Sequence, residues 1–493
     1  MIKKIRIFIF VGFCLSFLTS QARADDDFEL DGINLDDIRN YEIENVALRL
    51  PGQAELEMLA KNLGEIVKEP LWQNTKAPKG RDILYLLPHK ITAIEYGGVA
   101  LNLFFNMTDK LHVSADSLLD LGNAINQKTL IDTIITILEG KDIQVSVEEI
   151  TSLLPLFKKF TIQERKGGGF LQWGFVRGPF SIQMHTSLQF SERNFFLNKN
   201  DEEAIRAISN QIVPGGEFDE REFYRLAYGM GDTRLKVGMN TLNLTNFQTD
   251  VGVEAIFPTS RFTSRQPHFT IPEQGNALQL FKENGLSLLQ GVRDYLLNPQ
   301  FGNGGHFGLG CYFESKIGIF HNLAQLWTRI SYDLLFEGDE IRLIMFKKTI
   351  SPDALKVPLG DADAESKRLI QFTKEYLFPT SFKTTVKPGG IFNVVNSINV
   401  DIKKWRLALG HDFYAQQAEQ ITDIFNTNID FSALRVEDAE AGNSQQHKVF
   451  AEATWFKDFN KSNLGIGLGG DTTIYSVGLG YDWTIYLKFA ASF

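Results

Sequence analysis

From Trp483 to Phe493 the chain alternates without interruption between apolar and wetter side chains. Trp483, Ile485, Leu487, Phe489, Ala491 and Phe493 share one face, and Thr484, Tyr486, Lys488, Ala490 and Ser492 share the other. A period of two is the signature of a β-strand whose faces meet different surroundings. A tilted strand of about 9–11 residues also spans the hydrocarbon of a bilayer. The same pattern would serve an edge strand of an exported sandwich, so the rest of the chain has to separate the two.

Several whole-chain features narrow the choice. Lys3, Lys4 and Arg6 precede the apolar run Ile7 to Leu18, and Ala22-Arg23-Ala24 supplies a small-x-small site, so residues 1–24 read as a secretory signal peptide. Cys14 lies within the apolar run without the small residues that precede a lipid-modified cysteine, which argues against a lipoprotein. The exported chain is expected to begin near Asp25. Removing Lys3, Lys4, Arg6 and Arg23 from the 50 basic residues leaves 46 against 60 acidic ones, a formal charge of −14 that disfavours nucleic acid as a partner. Cys311 is then the one remaining cysteine, so no intrachain disulfide forms, and no Cys/His metal spacing is present. After the signal no stretch of 18 residues is free of charge, which excludes a membrane-spanning helix. A membrane form of this chain must therefore be a closed barrel, the other way to satisfy every backbone group in lipid. The 40 Phe and 41 Gly suit aromatic girdles and a closely packed sheet wall.

A signal peptide combined with an alternating strand that closes on Phe resembles the bacterial outer-membrane β-barrel proteins, of the porin and fatty-acid-transporter-like class. The residues that carry the resemblance are Trp483, Ile485, Leu487, Phe489 and Phe493. In that class such a strand is read by the barrel assembly machinery, so the resemblance implies that machinery and outer-membrane lipid as partners. Ala491 departs from the pattern, since a larger residue is commoner there.

Taken in order, residues 25–88 read as an acidic lead followed by an amphipathic helix from Gln53 to Lys68, expected to be a periplasmic segment or a plug, or else a surface helix. Residues 89–493 read as the barrel. Ile91 to Met107 is extended, and 114–159 turns to helical spacing, as does 272–297. These two stretches are the expected helical insertions, at the barrel mouth, in its lumen or in a cap. Strands follow over 169–177 and 180–190 with a Gly178-Pro179 turn, then 223–230, 234–242 and 248–257. Further strands read over 305–319, 323–336, 340–348, 392–400, 405–413 and 449–456. A strand follows over 464–468, then an Asp471-Thr472-Thr473 turn, and from 475 to 493 the pattern gives two more strands, turning near Gly480 to Asp482. The total is about 14 strands, with 12 to 16 allowed, an even number as single-chain bacterial barrels have. This tally puts the 259–303 connection among the short turns, unless one strand within 222–258 has been split in two or that segment enters the pore.

Chemistry is sparse. Gly465-Ile466-Gly467-Leu468-Gly469-Gly470 satisfies a dinucleotide fingerprint on paper, but another strand follows it where that fingerprint needs a helix. It reads instead as small residues on the inner wall with Leu464, Ile466 and Leu468 toward lipid. His185 beside Ser187 and His411 beside Asp412 are the nearest approach to a hydrolase pair, and each reads as an ordinary polar neighbour. No catalytic, cofactor or metal residue is assigned. On the parity set by Phe493, Tyr486 and Lys488 face the lumen, as do Glu452 and Thr454.

The sequence thus predicts an all-β transmembrane antiparallel barrel with helical insertions. Its expected function is a channel or transporter that moves a small solute, an apolar one among the candidates, past helical plug segments. A barrel-anchored surface adhesin or structural protein is the alternative, and a soluble exported β-rich protein is a third. Monomer and trimer both stay open.

Overall fold

The computed structural model describes residues 53–86, 97–111, 121–133 except 131, 161–195, 224–262, 271, 291–319 except 292, 323–425, 429–459 and 462–492. The sheet elements are β1 (Gly98–Leu111), β2 (Ile162–Arg177), β3 (Phe180–Phe195), β4 (Tyr224–Met230), β5 (Thr233–Leu244), β6 (Phe247–Phe257), β7 (Gly308–Ile319) and β8 (Ala324–Leu335). They continue with β9 (Gly338–Ile344), β10 (Thr380–Lys387), β11 (Ile391–Ile402), β12 (Trp405–Gln416), β13 (Gln420–Ile424), β14 (Ser444–Phe459), β15 (Ser462–Val477) and β16 (Gly480–Ser492). Helices are α1 (Gln53–Ile66), α2 (Ile83–Leu86), α3 (Leu121–Ala124) and α4 (Ala362–Phe372).

β16 pairs antiparallel with β1 from Gly98↔Ser492 through Leu103↔Leu487, and this pairing closes the sheet on itself. Around the wall the order is β1, β2, β3, β4 with β5, β6, β7, β8, β11, β12, β14, β15, β16. β4 and β5 count as one position, because both pair with β3 in series: Leu188↔Met230 lies above and His185↔Arg234 below the Gly231-Asp232 interruption. The wall is therefore a closed antiparallel barrel of 12 strands. β9, β10 and β13 form a separate three-stranded sheet that continues β8, β11 and β12 beyond one rim. These features account for the larger sequence tally. The stretch 223–242 occupies one wall position rather than two, and 340–348 belongs to the rim sheet; the turn expected at Asp471-Thr472-Thr473 is likewise absent, since these residues stay paired with β14 and β15 runs on to Val477. The connection after β6 accordingly moves to the side of the long connections.

One rim carries the tight turns Gly178-Pro179, 245–246 and 403–404. The opposite rim carries the long connections and a single tight turn, 478–479, where Gly478 at φ 77° and Gly480 at φ 85° reverse β15 into β16. In β15 an extra residue, Ile474, sits opposite the His447/Lys448 step, and this bulge flips the outward parity from even to odd. That flip, with the two-residue turn, is why alternation runs through from Tyr475 to Phe489 although the chain reverses within it.

Side chains sort by parity. Leu101, Leu103, Leu171, Trp173, Val253, Leu409, Leu468, Ile485, Leu487 and Phe489 point outward and are exposed. The inward positions of the same strands are dominated by buried polar and charged groups such as Asn102, Gln172, Glu254, Asp412, Thr454 and Lys488. An apolar exterior around a polar interior is the distribution a barrel needs in lipid, where the outer face meets hydrocarbon. The expected insertions at 114–159 and 272–297, residues 1–52 and Phe493 lie largely or wholly outside the described residues; within them, α3 and the 293–297 turn are helical.

Candidate functional site: the barrel lumen

The lumen is built by the inward-facing half of the wall and by a short piece of chain that enters it. Arg81 to Leu86, ending in α2, lies inside the barrel, and Ile83, Leu84, Tyr85 and Leu86 pack in one cluster with Phe104, Phe170, Tyr414 and Tyr486 of the wall. Burial of a Leu or Ile side chain is worth about 1.5–3 kcal/mol, so this apolar plug is held firmly wherever the wall offers it an apolar patch.

Polar contacts fix its position. Arg81 Nη2 donates to Asp412 Oδ1 at 2.8 Å and to the Tyr85 carbonyl at 2.6 Å, while its guanidinium lies 4.7 Å from the Tyr414 ring centre. Asn393 Nδ2 donates to the same Asp412 oxygen at 3.0 Å. The Tyr85 hydroxyl donates to Asp333 Oδ2 at 2.9 Å, and the Arg234 guanidinium stacks 4.5 Å from the Tyr85 ring centre. The plug is therefore tied to β5, β8 and β12, near the rim of the long connections, with β11 supporting Asp412.

Ion pairs line the wall around it. Arg234 reaches Glu254 at 3.2 Å and Asp333 at 3.1 Å, and Glu254 also receives Arg329 at 3.4 Å and Lys236 at 3.6 Å. Lys448 bridges Asp471 at 2.5 Å and Asp482 at 2.7 Å, and Asp482 takes further bonds from Asn106, Gln446 and Thr473. Nearer the rim of the tight turns, Glu452 accepts from Lys488 at 2.9 Å, Tyr486 at 3.0 Å and Thr454 at 2.7 Å. A β-carbon at Gly469 would overlap the Tyr486 ring, so glycine there is what lets that ring lie flat against β15.

One arc of the wall is different. On β1 to β3, Asn102, Gln172, His185, Ser187 and Gln189 are buried neutral groups, and polar atoms of each have no hydrogen-bond partner. Gln172 and His185 are register partners, and Phe170 lies between Asn102 and Ser187 in the adjoining row. Buried donors and acceptors of this kind are normally satisfied by ordered water or by a ligand.

Beyond the rim, the chain leading to the plug packs on the long connections. Leu71 N donates to the Tyr376 carbonyl at 2.8 Å, Trp72 Nε1 to the Leu377 carbonyl at 3.1 Å and Thr75 N to the Asp438 carbonyl at 2.9 Å. Glu69 pairs with Lys348 and the Tyr295 hydroxyl donates to the Thr75 carbonyl. In the rim sheet Arg342 bridges Glu340 at 2.8 Å and Glu419 at 2.9 Å, and His306 Nε2 lies 2.7 Å from Glu340. Burial alone would push the Glu340 carboxyl up, but Arg342 and then Lys79 outweigh it and hold it well below the usual range; Glu419 is lowered by the same two cations against its burial.

Of the residues singled out by sequence, the structure brings Glu452, Thr454, Tyr486 and Lys488 into one bonded cluster on the inner wall. Ile485, Leu487 and Phe489 point outward, and Trp483 is half-buried against Phe105 at 5.7 Å between ring centres. Leu464, Ile466 and Leu468 are exposed on the outer face, with Gly465, Gly467 and Gly469 on the inner one. His411 and Asp412 lie on opposite faces: Asp412 holds Arg81, whereas His411 stands outside 3.1 Å from His447. Residues 53–86, read as a periplasmic segment or plug, sit at the rim of the long connections and in the lumen. Sequence reasoning did not find Arg81, Tyr85 or Asp333, and it read Asp412 only as a neighbour of His411, because their pairings join positions hundreds of residues apart.

Comparison with protein-family models and with curated proteins returns no match. Among solved structures, the chain is similar to an outer-membrane channel from Pseudomonas putida F1 at 7% identity and TM-score 0.39, over 81% of this chain and 98% of that one. It is similar to the P. putida toluene transporter TodX at 7% identity and TM-score 0.28, over 87% and 96%. The Ralstonia pickettii toluene transporter TbuX aligns at 6% identity and TM-score 0.32, over 81% and 90%.

Proposed function

We propose that this protein is an outer-membrane channel for a small polar solute, closed in the present conformation by the segment Arg81 to Leu86. The observation that carries the reading is a polar lumen lined by ion pairs inside a lipid-type wall, filled by a plug that charged and aromatic groups of β5, β8 and β12 hold in place. Beside its apolar packing, the plug is anchored to the wall by ionic and hydrogen-bonding contacts that water can replace on withdrawal.

The lining favours a polar solute over an apolar one. Asn102, Gln172, His185, Ser187 and Gln189 would each lose water to an apolar molecule lying against them, at about 1–3 kcal/mol per unsatisfied group. A neutral, hydroxyl-bearing molecule supplies donors and acceptors to the same groups. Transport by the toluene transporters named above concerns apolar molecules, and this arc of wall is the reason for preferring polar ones here.

Swelling of proteoliposomes in neutral sugars of increasing size tests the proposal. Uptake of the smallest sugars, faster once the plug is released by Arg81→Ala, is the expected result. No swelling with either form, in vesicles shown to contain folded barrel, would overturn it.

A further inference from the structure

The segment that plugs the lumen enters it from the rim of the long connections. Before the plug, residues 67–77 bond to Tyr376, Leu377, Asp438 and Lys348, all in connections of that rim, and α1 packs on residues 352–356 and α4 of the same connection. After the plug, the next described residues, Gly97 and Gly98, stand at the opposite rim, where Gly98 pairs with Ser492. The wall between these rims is closed.

Bacterial barrels place tight turns in the periplasm and long connections outside. We propose that residues 53–79, packed on the long connections, lie on the cell surface, so that the barrel displays there a segment that precedes its own first strand. This inference rests on the outer-membrane reading given above. On it, α1 and the stretch to Lys79 form one outer module with the rim sheet and α4, continuous with the plug that enters the lumen. The module's contacts with the long connections are sealed by buried groups, Leu71 and Trp72 among them at 2% exposure each, so it is docked as a folded part of the surface.

Accessibility of single cysteines decides the matter. In a Cys311→Ser background, which removes the lipid-facing thiol, Lys61→Cys reports the displayed segment, Lys367→Cys the long connection and Lys404→Cys a tight turn; all three positions are exposed. With a membrane-impermeant maleimide on intact cells, Lys61→Cys is expected to label to the same extent as Lys367→Cys, and Lys404→Cys only after permeabilisation. Labelling of Lys61→Cys only after permeabilisation, while Lys367→Cys labels on intact cells, would overturn display and leave the outer-membrane barrel intact. Failure of all three to label on intact cells, with the protein outside the outer-membrane fraction, would overturn the display and the reading beneath it together.

Discussion

Removing the Arg81 side chain should open the barrel. In the seated plug, Arg81 neutralises Asp412, whose side chain is 0% exposed, through a 2.8 Å contact. Truncation to alanine leaves a buried carboxylate without its cation, a change that costs about 3–5 kcal/mol. With the plug withdrawn, lumen water solvates Asp412 and no such cost arises, so nearly all of it falls on the seated state. At about 1.4 kcal/mol per tenfold, the seated-to-withdrawn ratio should drop by roughly two to three and a half orders of magnitude. Tyr85→Phe removes one hydrogen bond to the Asp333 carboxylate, worth about 1.5–3 kcal/mol, and keeps the ring under Arg234, so it should shift the same ratio by one to two orders. The assay is single-channel recording in planar bilayers. Wild type should show rare openings, Tyr85→Phe more frequent ones and Arg81→Ala near-continuous current of the same unit conductance. Equal open probabilities in all three, with each protein shown to be a folded barrel, would refute the claim that these contacts hold the plug.

Other consequences can be checked independently. Leu468→Arg places a charge at an outward position that is 59% exposed; if hydrocarbon lies there, the barrel loses about 2–4 kcal/mol, seen as a lower unfolding midpoint in lipid vesicles, whereas a wall facing water would be indifferent. Gly469→Val forces the Tyr486 ring off β15 and should break its bond to Glu452, lowering the temperature at which the detergent-solubilised barrel unfolds; an unchanged temperature would show that this packing carries little stability. In the rim sheet, the Glu340 and Glu419 carboxyls titrate lower folded than unfolded, so their contribution is complete at neutral pH and is lost as the pH falls through the folded values, below the ordinary carboxylate range. Protease cleavage within residues 338–424 should therefore rise on strong acidification before the wall itself opens, and Arg342→Met, which leaves both carboxyls buried without their main cation, should weaken or reverse that pH dependence.

How much of this was readable in the sequence depends on the distance over which each feature is encoded. Parity is local, so the inward set Glu452, Thr454, Tyr486 and Lys488 and the outward set Leu464, Ile466 and Leu468 could be written down from alternation alone. The strand number was harder, because Gly231-Asp232 has the composition of a turn. In the folded chain Asp232 accepts hydrogen bonds from Ser260 Oγ at 2.5 Å and from the Asn303 amide at 2.8 Å, and the strand carries on past it along β3. Residues 340–348 alternate as a wall strand does, yet their partners are β10 and the 434 bridge rather than the barrel. The plug was the least legible part. Helical periodicity drew attention to 114–159 and 272–297, while the described segment that fills the lumen is a single four-residue turn whose anchors, Asp333 and Asp412, lie 248 and 331 positions away from their partners.

The central claim, a closed barrel embedded in the outer membrane, is tested most directly by the mobility of the extracted protein in SDS gels with and without boiling, read together with its membrane fraction. The account predicts an outer-membrane protein that runs compact when cold and shifts once heated, as the β16–β1 closure melts. A protein found in the soluble periplasm, with one mobility at both temperatures, would contradict it.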